Sequence, residues 1–329
     1  MADSTNLPAP DPQAPPILSS APPKSIMHKI FTGPNGIRAG WRMSIFMTIV
    51  VASGAGANFS LRAYLHATGR KIPSGGPTTP LLGLLNEGSI FLIVLLAAWI
   101  MSKIERRTVA DYALPARRAF CAQFWQGALI GFAAISTLLA AMHLAGVFSF
   151  GTLALHGAEA WKYAGLWALA FLCVSLFEEF FVRGYMLFTL TTGTGFWPAA
   201  VLLSVLFGLA HTSNPGESHL GAFTAGAIGF VFCLVLRRTG DLWMPIGLHL
   251  GWDWGETYFY GVPDSGLAAQ GHLLNSSSHG PTWLTGGTVG PEGSWLCVVV
   301  IVILWILFAT WLRVVKYPNL AAIPDPRRR

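Results

Sequence analysis

Long apolar runs separated by short polar breaks fill the chain from residue 41 to residue 314, and strand-like alternation is absent from them. A helix needs about 20 apolar residues to cross the hydrocarbon of a bilayer, or about 17 at the short end. The runs predict helices over 41–62, 80–102, 121–147, 162–190, 196–212, 220–237, 242–260 and 294–314, the fifth being the shortest. The expected fold is therefore all-α: a polytopic membrane protein of about eight transmembrane helices with its polar chemistry inside the bundle. Around the runs, the pattern suggests five regions. Residues 1–40 read as a disordered, proline-rich cytoplasmic tail that ends in the basic-aromatic stretch "KSIMHKIFTGPNGIRAGWR". The first helices occupy 41–147, a more polar-marked core 160–260, a Gly/Ser-rich loop 261–293, and a last helix with a basic end 294–329.

Composition agrees with this pattern. The chain is 53% hydrophobic and only 11% charged, whereas soluble domains carry about 25% charged residues. Its net charge of +6 need not signal nucleic acid, and none is expected as a partner. The bilayer is the expected partner, because Lys and Arg beside membrane helices set their orientation. With the N-terminus inside, Lys24, Lys29, Arg38, Arg42, the 103–118 loop, Arg237, Arg238 and the C-terminal end collect sixteen of the 21 basic residues. Only Arg62, Arg70, Lys71 and Lys162 fall outside, and 261–293 has no Lys or Arg. Both termini are thus expected in the cytoplasm of a cell (inner) membrane protein. Cys121, Cys173, Cys233 and Cys297 form no CxxC pair and read as small packing residues.

The chemistry concentrates in "SLFEEFFVRGYMLF", where Glu178, Glu179 and Arg183 lie inside the fourth run. Each such group costs roughly 2.5–3.5 kcal/mol at the centre of a membrane helix on insertion scales. Glu179 and Arg183 are four apart and predict a pair along one helix face. Glu178 points about 100° away, without a local partner. His211 ends the fifth run, one turn after Phe207, and His249 and Asp253 share a face of the seventh. Helical rise sets Glu178 and His249 roughly 18 and 11 Å from the inner surface, and His211 near 22 Å, so tilt is needed to align them. One carboxylate, two imidazoles and a second carboxylate on three helices suit a metal or an activated water: imidazole is a common zinc ligand and a nearby Glu can deprotonate bound water.

These residues carry a family resemblance. Glu178-Glu179-xxx-Arg183 resembles the EExxxR motif of the CPBP family of intramembrane proteases, the CAAX prenyl endopeptidases and bacteriocin-processing (Abi) enzymes. Phe207-xxx-His211 resembles its FxxxH motif, and His249-xxx-Asp253 its HxxxN or HxxxD motif. The resemblance implies an eight-helix bundle that hydrolyses a peptide bond in a peptide or protein substrate. It implies Glu178 as general base, Glu179 with Arg183 as supporting pair, and His211 as holder of water or metal. His249 and Asp253 would ligate a metal or stabilise an oxyanion. The implied cofactor is Zn2+ at His211 and His249, with a metal-free Glu/His mechanism as the other form. HExxH, GxGD and a glycine-flanked serine nucleophile are absent. His272 and His279, in the outer loop, read as solvent-exposed. A transporter, immunity or scaffold protein on the same fold is the alternative, since intramembrane carboxylates and histidines also build proton relays.

Overall fold

The computed structural model describes residues 30–33, 36–70, 78–214 and 216–317. The proline-rich tail and the basic C-terminal end lie largely outside the described residues. Eight helices follow the eight apolar runs: α1 (Ala39–Thr68), α2 (Pro80–Ile104), α3 (Ala122–Leu144), α4 (Gly157–Thr194), α5 (Phe196–His211), α6 (His219–Thr239), α7 (Trp243–Asp253) and α8 (Trp295–Trp311). Five of them, α1 to α4 and α6, are long and apolar enough to cross a membrane, while α5 and α8 are shorter apolar helices. Among the described residues, β structure is limited to two pairs of two-residue strands and three isolated bridges. A bilayer core offers no water to the backbone, so only closed intrahelical hydrogen bonding satisfies these segments. Their outer faces are correspondingly apolar: Phe59, Leu85, Leu92, Leu129, Leu209 and Ile306 are all more than half exposed. In water such faces would be an aggregation liability. In lipid they are the solvent-matched surface.

Local sequence sets the helix ends. Thr79 caps α2 by accepting from the Leu82 amide, with Pro80 in the first turn, where its missing N–H costs nothing. Ser218 caps α6 and Ser294 caps α8 in the same way. Gly240, at φ +94°, closes α6 in the left-handed region before α7 starts three residues on.

The tightest helix contact joins α3 to α7. A Cβ added at Gly127 or Gly131 would lie 2.2 or 2.0 Å from the carbonyl oxygens of Met244 and Leu248. One added at Gly247 or Gly251 would lie 2.0 or 2.1 Å from those of Phe124 and Ala128. Two Gly-xxx-Gly faces therefore meet backbone to backbone, as small residues permit in membranes. This contact fixes α7 and the His249–Asp253 face it carries. The small residues of α6 serve likewise against α5, where a Cβ at Gly208 would lie 2.4 Å from the Ala222 oxygen.

At one end of the bundle the basic residues assemble. Arg42 donates to Glu105 at 2.9 Å, Tyr185 donates to the same carboxylate at 2.7 Å, and Arg118 pairs with Asp241 at 2.9 Å. At the other end, residues 261–293 form a cap stitched by backbone bonds to 78, 147 and 152–154. The cap is not featureless: it contains a helical turn at Thr282–Thr285, and His272 is half-buried, bonded to Ala269 O and Asn275 Oδ1. The expectation of an exposed His272 is thereby corrected, while His279 is exposed. Single-cysteine labelling in intact cells should reach sites in the cap only from outside and sites in 103–118 only after permeabilisation. Labelling of 103–118 from outside would overturn this orientation.

Candidate functional site

The site is built on two π-helical segments. Residues Glu179–Met186 interrupt α4, and Trp254–Phe259 continue α7. Such insertions are rare and concentrate at functional sites. The first changes the backbone hydrogen bonding of α4 at the polar residues while the helix itself continues to Thr194.

Glu179 and Arg183 are both fully buried, and Arg183 Nη1 donates to Glu179 Oε1 at 3.1 Å. The same Oε1 lies 3.0 Å from His249 Nδ1. A carboxylate only accepts, so His249 Nδ1 carries the proton and donates it here. Arg183, Glu179 and His249 thus form one chain across α4 and α7. The guanidinium lies 4.1 Å from the Phe207 ring centroid and 5.7 Å from that of Phe232, so aromatic faces supply part of the stabilisation its unpaired Nε and Nη2 lack. Gly229 makes room for it. An added Cβ there would come within 2.0 Å of Arg183 Nη2.

Phe207 has a second task. Its carbonyl oxygen lies 2.8 Å from His211 Nδ1, and a carbonyl can only accept. That fixes the tautomer of His211 and leaves its Nε2 as the free nitrogen. His249 is oriented the same way, with Nε2 3.3 Å from Asp253 Oδ2 and 3.8 Å from Glu178 Oε2. Glu178, without a partner within its own helix, faces a partner from another.

Cavities join these groups. One of about 50 Å³ is lined by Glu178, His211 and His249 together with Ser265 and Glu292. A second, of about 260 Å³, runs from the same three residues towards Glu87, Thr78 and Asp264 under the cap. A third, of about 290 Å³, opens between α4 and α5 and is lined by Phe177, Phe181, Leu203, Leu206 and Phe207 around Glu178 and His211. All three converge on Glu178 and His211. The misalignment expected from upright helices is therefore absent at the level of shared cavities.

All six residues singled out in the sequence gather here. Glu178, His211 and His249 line a common cavity, and Glu179, Arg183 and Asp253 sit behind them. Both imidazoles have Nδ1 fixed by an acceptor, which leaves each Nε2 to meet a water or an ion. A bare Nε2 of His249 facing two carboxylates also calls for positive charge, supplied by a proton or a cation.

Sequence reasoning missed the groups beyond the motifs. Glu256, Asp264 and Glu292 gather beside the site, each offering an oxygen within 4.8 Å of the others. Burial and the Asp253 and Glu292 charges push the Asp264 carboxyl well above the usual carboxylate range, and burial with Asp253 raises Glu292 as well. No spacing motif announces this trio. The cluster of Arg42, Glu105 and Tyr185, at the end of the bundle away from the cap, is marked by no motif either.

No curated protein and no solved structure matches the chain. Residues 158–255, somewhat under a third of its length, match the family model of type II CAAX prenyl endopeptidases, Rce1-like, and the segment holding all six motif residues is thus similar to the CAAX-protease family that those motifs resemble.

Proposed function

We propose that the chain is an intramembrane endopeptidase that hydrolyses a peptide bond with a water activated by Glu178 and the two histidines. The observation that carries this reading is the convergence of three cavities on Glu178 and His211. Of the two adjacent glutamates, Glu178 is the one outside the Arg183 ion pair, and its carboxylate faces His249 Nε2 across 3.8 Å. A water held between them would lose its proton to Glu178, which then returns it to the leaving amine. His211, its Nδ1 engaged by Phe207, offers Nε2 to the same water or to the developing oxyanion. Glu179 and Arg183 hold His249 in register, and Asp253 stabilises positive charge on its ring. The apolar opening between α4 and α5 would admit a substrate segment from the bilayer.

A zinc ion held by His211 and His249, with Asp253, would lower the pKa of bound water towards neutrality. Purified chain reconstituted in liposomes should cleave membrane-inserted peptides, read by mass spectrometry of the products. If a metal takes part, chelation abolishes cleavage and zinc restores it, whereas full activity in chelator removes the metal and leaves the Glu–His water. A folded chain that cleaves no peptide and instead conducts protons across the vesicle wall would favour the transporter reading.

A further inference from the structure

Three carboxylates meet where the cap joins the end of α7: Glu256 on the π-helical turn, Asp264 just after it and Glu292 at the far end of the cap. Oxygen ligands stand about 2.3–2.6 Å from a calcium ion, so two ligands of one ion lie at most about twice that apart. The 4.8 Å spread of the trio falls within this span. Protein cations do not balance the charge. The 261–293 cap has no Lys or Arg, and among the described residues every ion pair engages other carboxylates.

A separate observation points to a ligand. Glu256 is 0% exposed, and while its Oε2 accepts from Trp252 Nε1 at 2.7 Å, its Oε1 has no hydrogen-bond partner. That oxygen is turned towards the cap. A Cβ built on Gly290 would lie 3.4 Å from it and 2.0 Å from the Pro263 carbonyl oxygen, so it points between the stretches that carry Glu292 and Asp264. The donors that do reach the trio are neutral: Trp252 and Ser265 to Glu292, Thr257 to Asp264. A buried, unpaired carboxylate oxygen is costly unless a proton or a cation meets it.

We propose that Glu256, Asp264 and Glu292 bind one hard divalent cation of the calcium type, which fastens the cap to the end of α7. All three ligands are oxygens, the donor type of hard ions, without the imidazole or thiolate that zinc selects. Calcium accepts irregular geometry completed by carbonyls and solvent, whereas magnesium demands near-ideal octahedral placement. The ion would stand beside the reaction cavity, because Glu292 and Ser265 line it together with Glu178 and His211. It would therefore set how firmly the cap closes over the site, whatever chemistry the site performs.

The test uses the full chain in detergent, stripped with EGTA and titrated with Ca2+ or Mg2+ by calorimetry and thermal melting. The expected result is one Ca2+ per chain, a saturable rise in Tm and at least tenfold weaker Mg2+ binding. Asp264→Asn and Glu256→Gln should each weaken Ca2+ binding at least tenfold, while Glu178→Gln retains it. Should Glu256→Gln fail to fold, Asp264→Asn decides, since Asp264 lies on a half-buried loop. A folded wild-type chain that neither binds Ca2+ nor shifts its Tm overturns the site. So does Ca2+ binding that is lost in Glu178→Gln yet kept in Asp264→Asn. Neutral variants that gain stability while Ca2+ has no effect also overturn it, since the carboxyls then share protons.

Discussion

Glu178→Gln should abolish peptide hydrolysis in an otherwise intact protein, with a loss of at least 10²–10⁴-fold, the range a general base typically contributes. The substitution preserves side-chain shape and the lining of all three cavities but removes the carboxylate that lines each of them and faces His249 Nε2. His211→Ala should lose as much. The double variant should lose little more, because groups that act on one water behave as a unit and their effects do not add. Rates are to be measured on the same reconstituted peptides, with unchanged Tm as the control for folding. Undiminished cleavage by Glu178→Gln would falsify the assignment of the base. Strictly additive losses in the double variant would instead place Glu178 and His211 on separate steps.

The helices were legible because the bilayer leaves the sequence few options. A segment that must satisfy its backbone internally and face lipid writes itself as a long apolar run. The expected 196–212 and 294–314 accordingly meet Phe196–His211 and Trp295–Trp311 within a few residues. The Glu179–Arg183 pair was legible for a related reason, as spacing of four within one helix is a local property. What spacing cannot express is which helix lies opposite. The bond from Glu179 to His249 depends on how α4 crosses α7, and nothing within either segment encodes that crossing. Part of it was readable after all. Gly127-xxx-Gly131 and Gly247-xxx-Gly251 stand in the sequence as paired small-residue faces. The π-helical turns and the Glu256–Asp264–Glu292 trio leave no comparable mark. The first is a change of backbone hydrogen bonding without a compositional cue, and the second is assembled by a loop that returns across more than twenty residues.

Glu179→Ala should cost the protein far more stability than Glu178→Ala, although the two acids are neighbours in sequence. Glu179 is fully buried, and its Oε1 serves both Arg183 Nη1 and His249 Nδ1. Removing it strands a guanidinium that is 0% exposed, whose Nε and Nη2 already lack partners. Breaking a buried pair in this way costs about 3–5 kcal/mol. The aromatic faces of Phe207 and Phe232 do not replace it, because those contacts are already made with Glu179 present and supply no counter-charge. Glu178, by contrast, lines the cavity with its side chain 24% exposed and closes no such pair. Its truncation removes little that the folded state needs. Thermal melting of both variants in the same detergent should therefore separate them clearly, Glu179→Ala losing yield and Tm while Glu178→Ala melts near wild type but is inactive. Glu179→Gln should fall between, since it keeps an acceptor for Arg183 and His249 while giving up the charge. Equal melting temperatures for the two alanine variants would show that Arg183 finds another counter-charge, and the chain from Arg183 through Glu179 to His249 would then not be what holds α4 to α7.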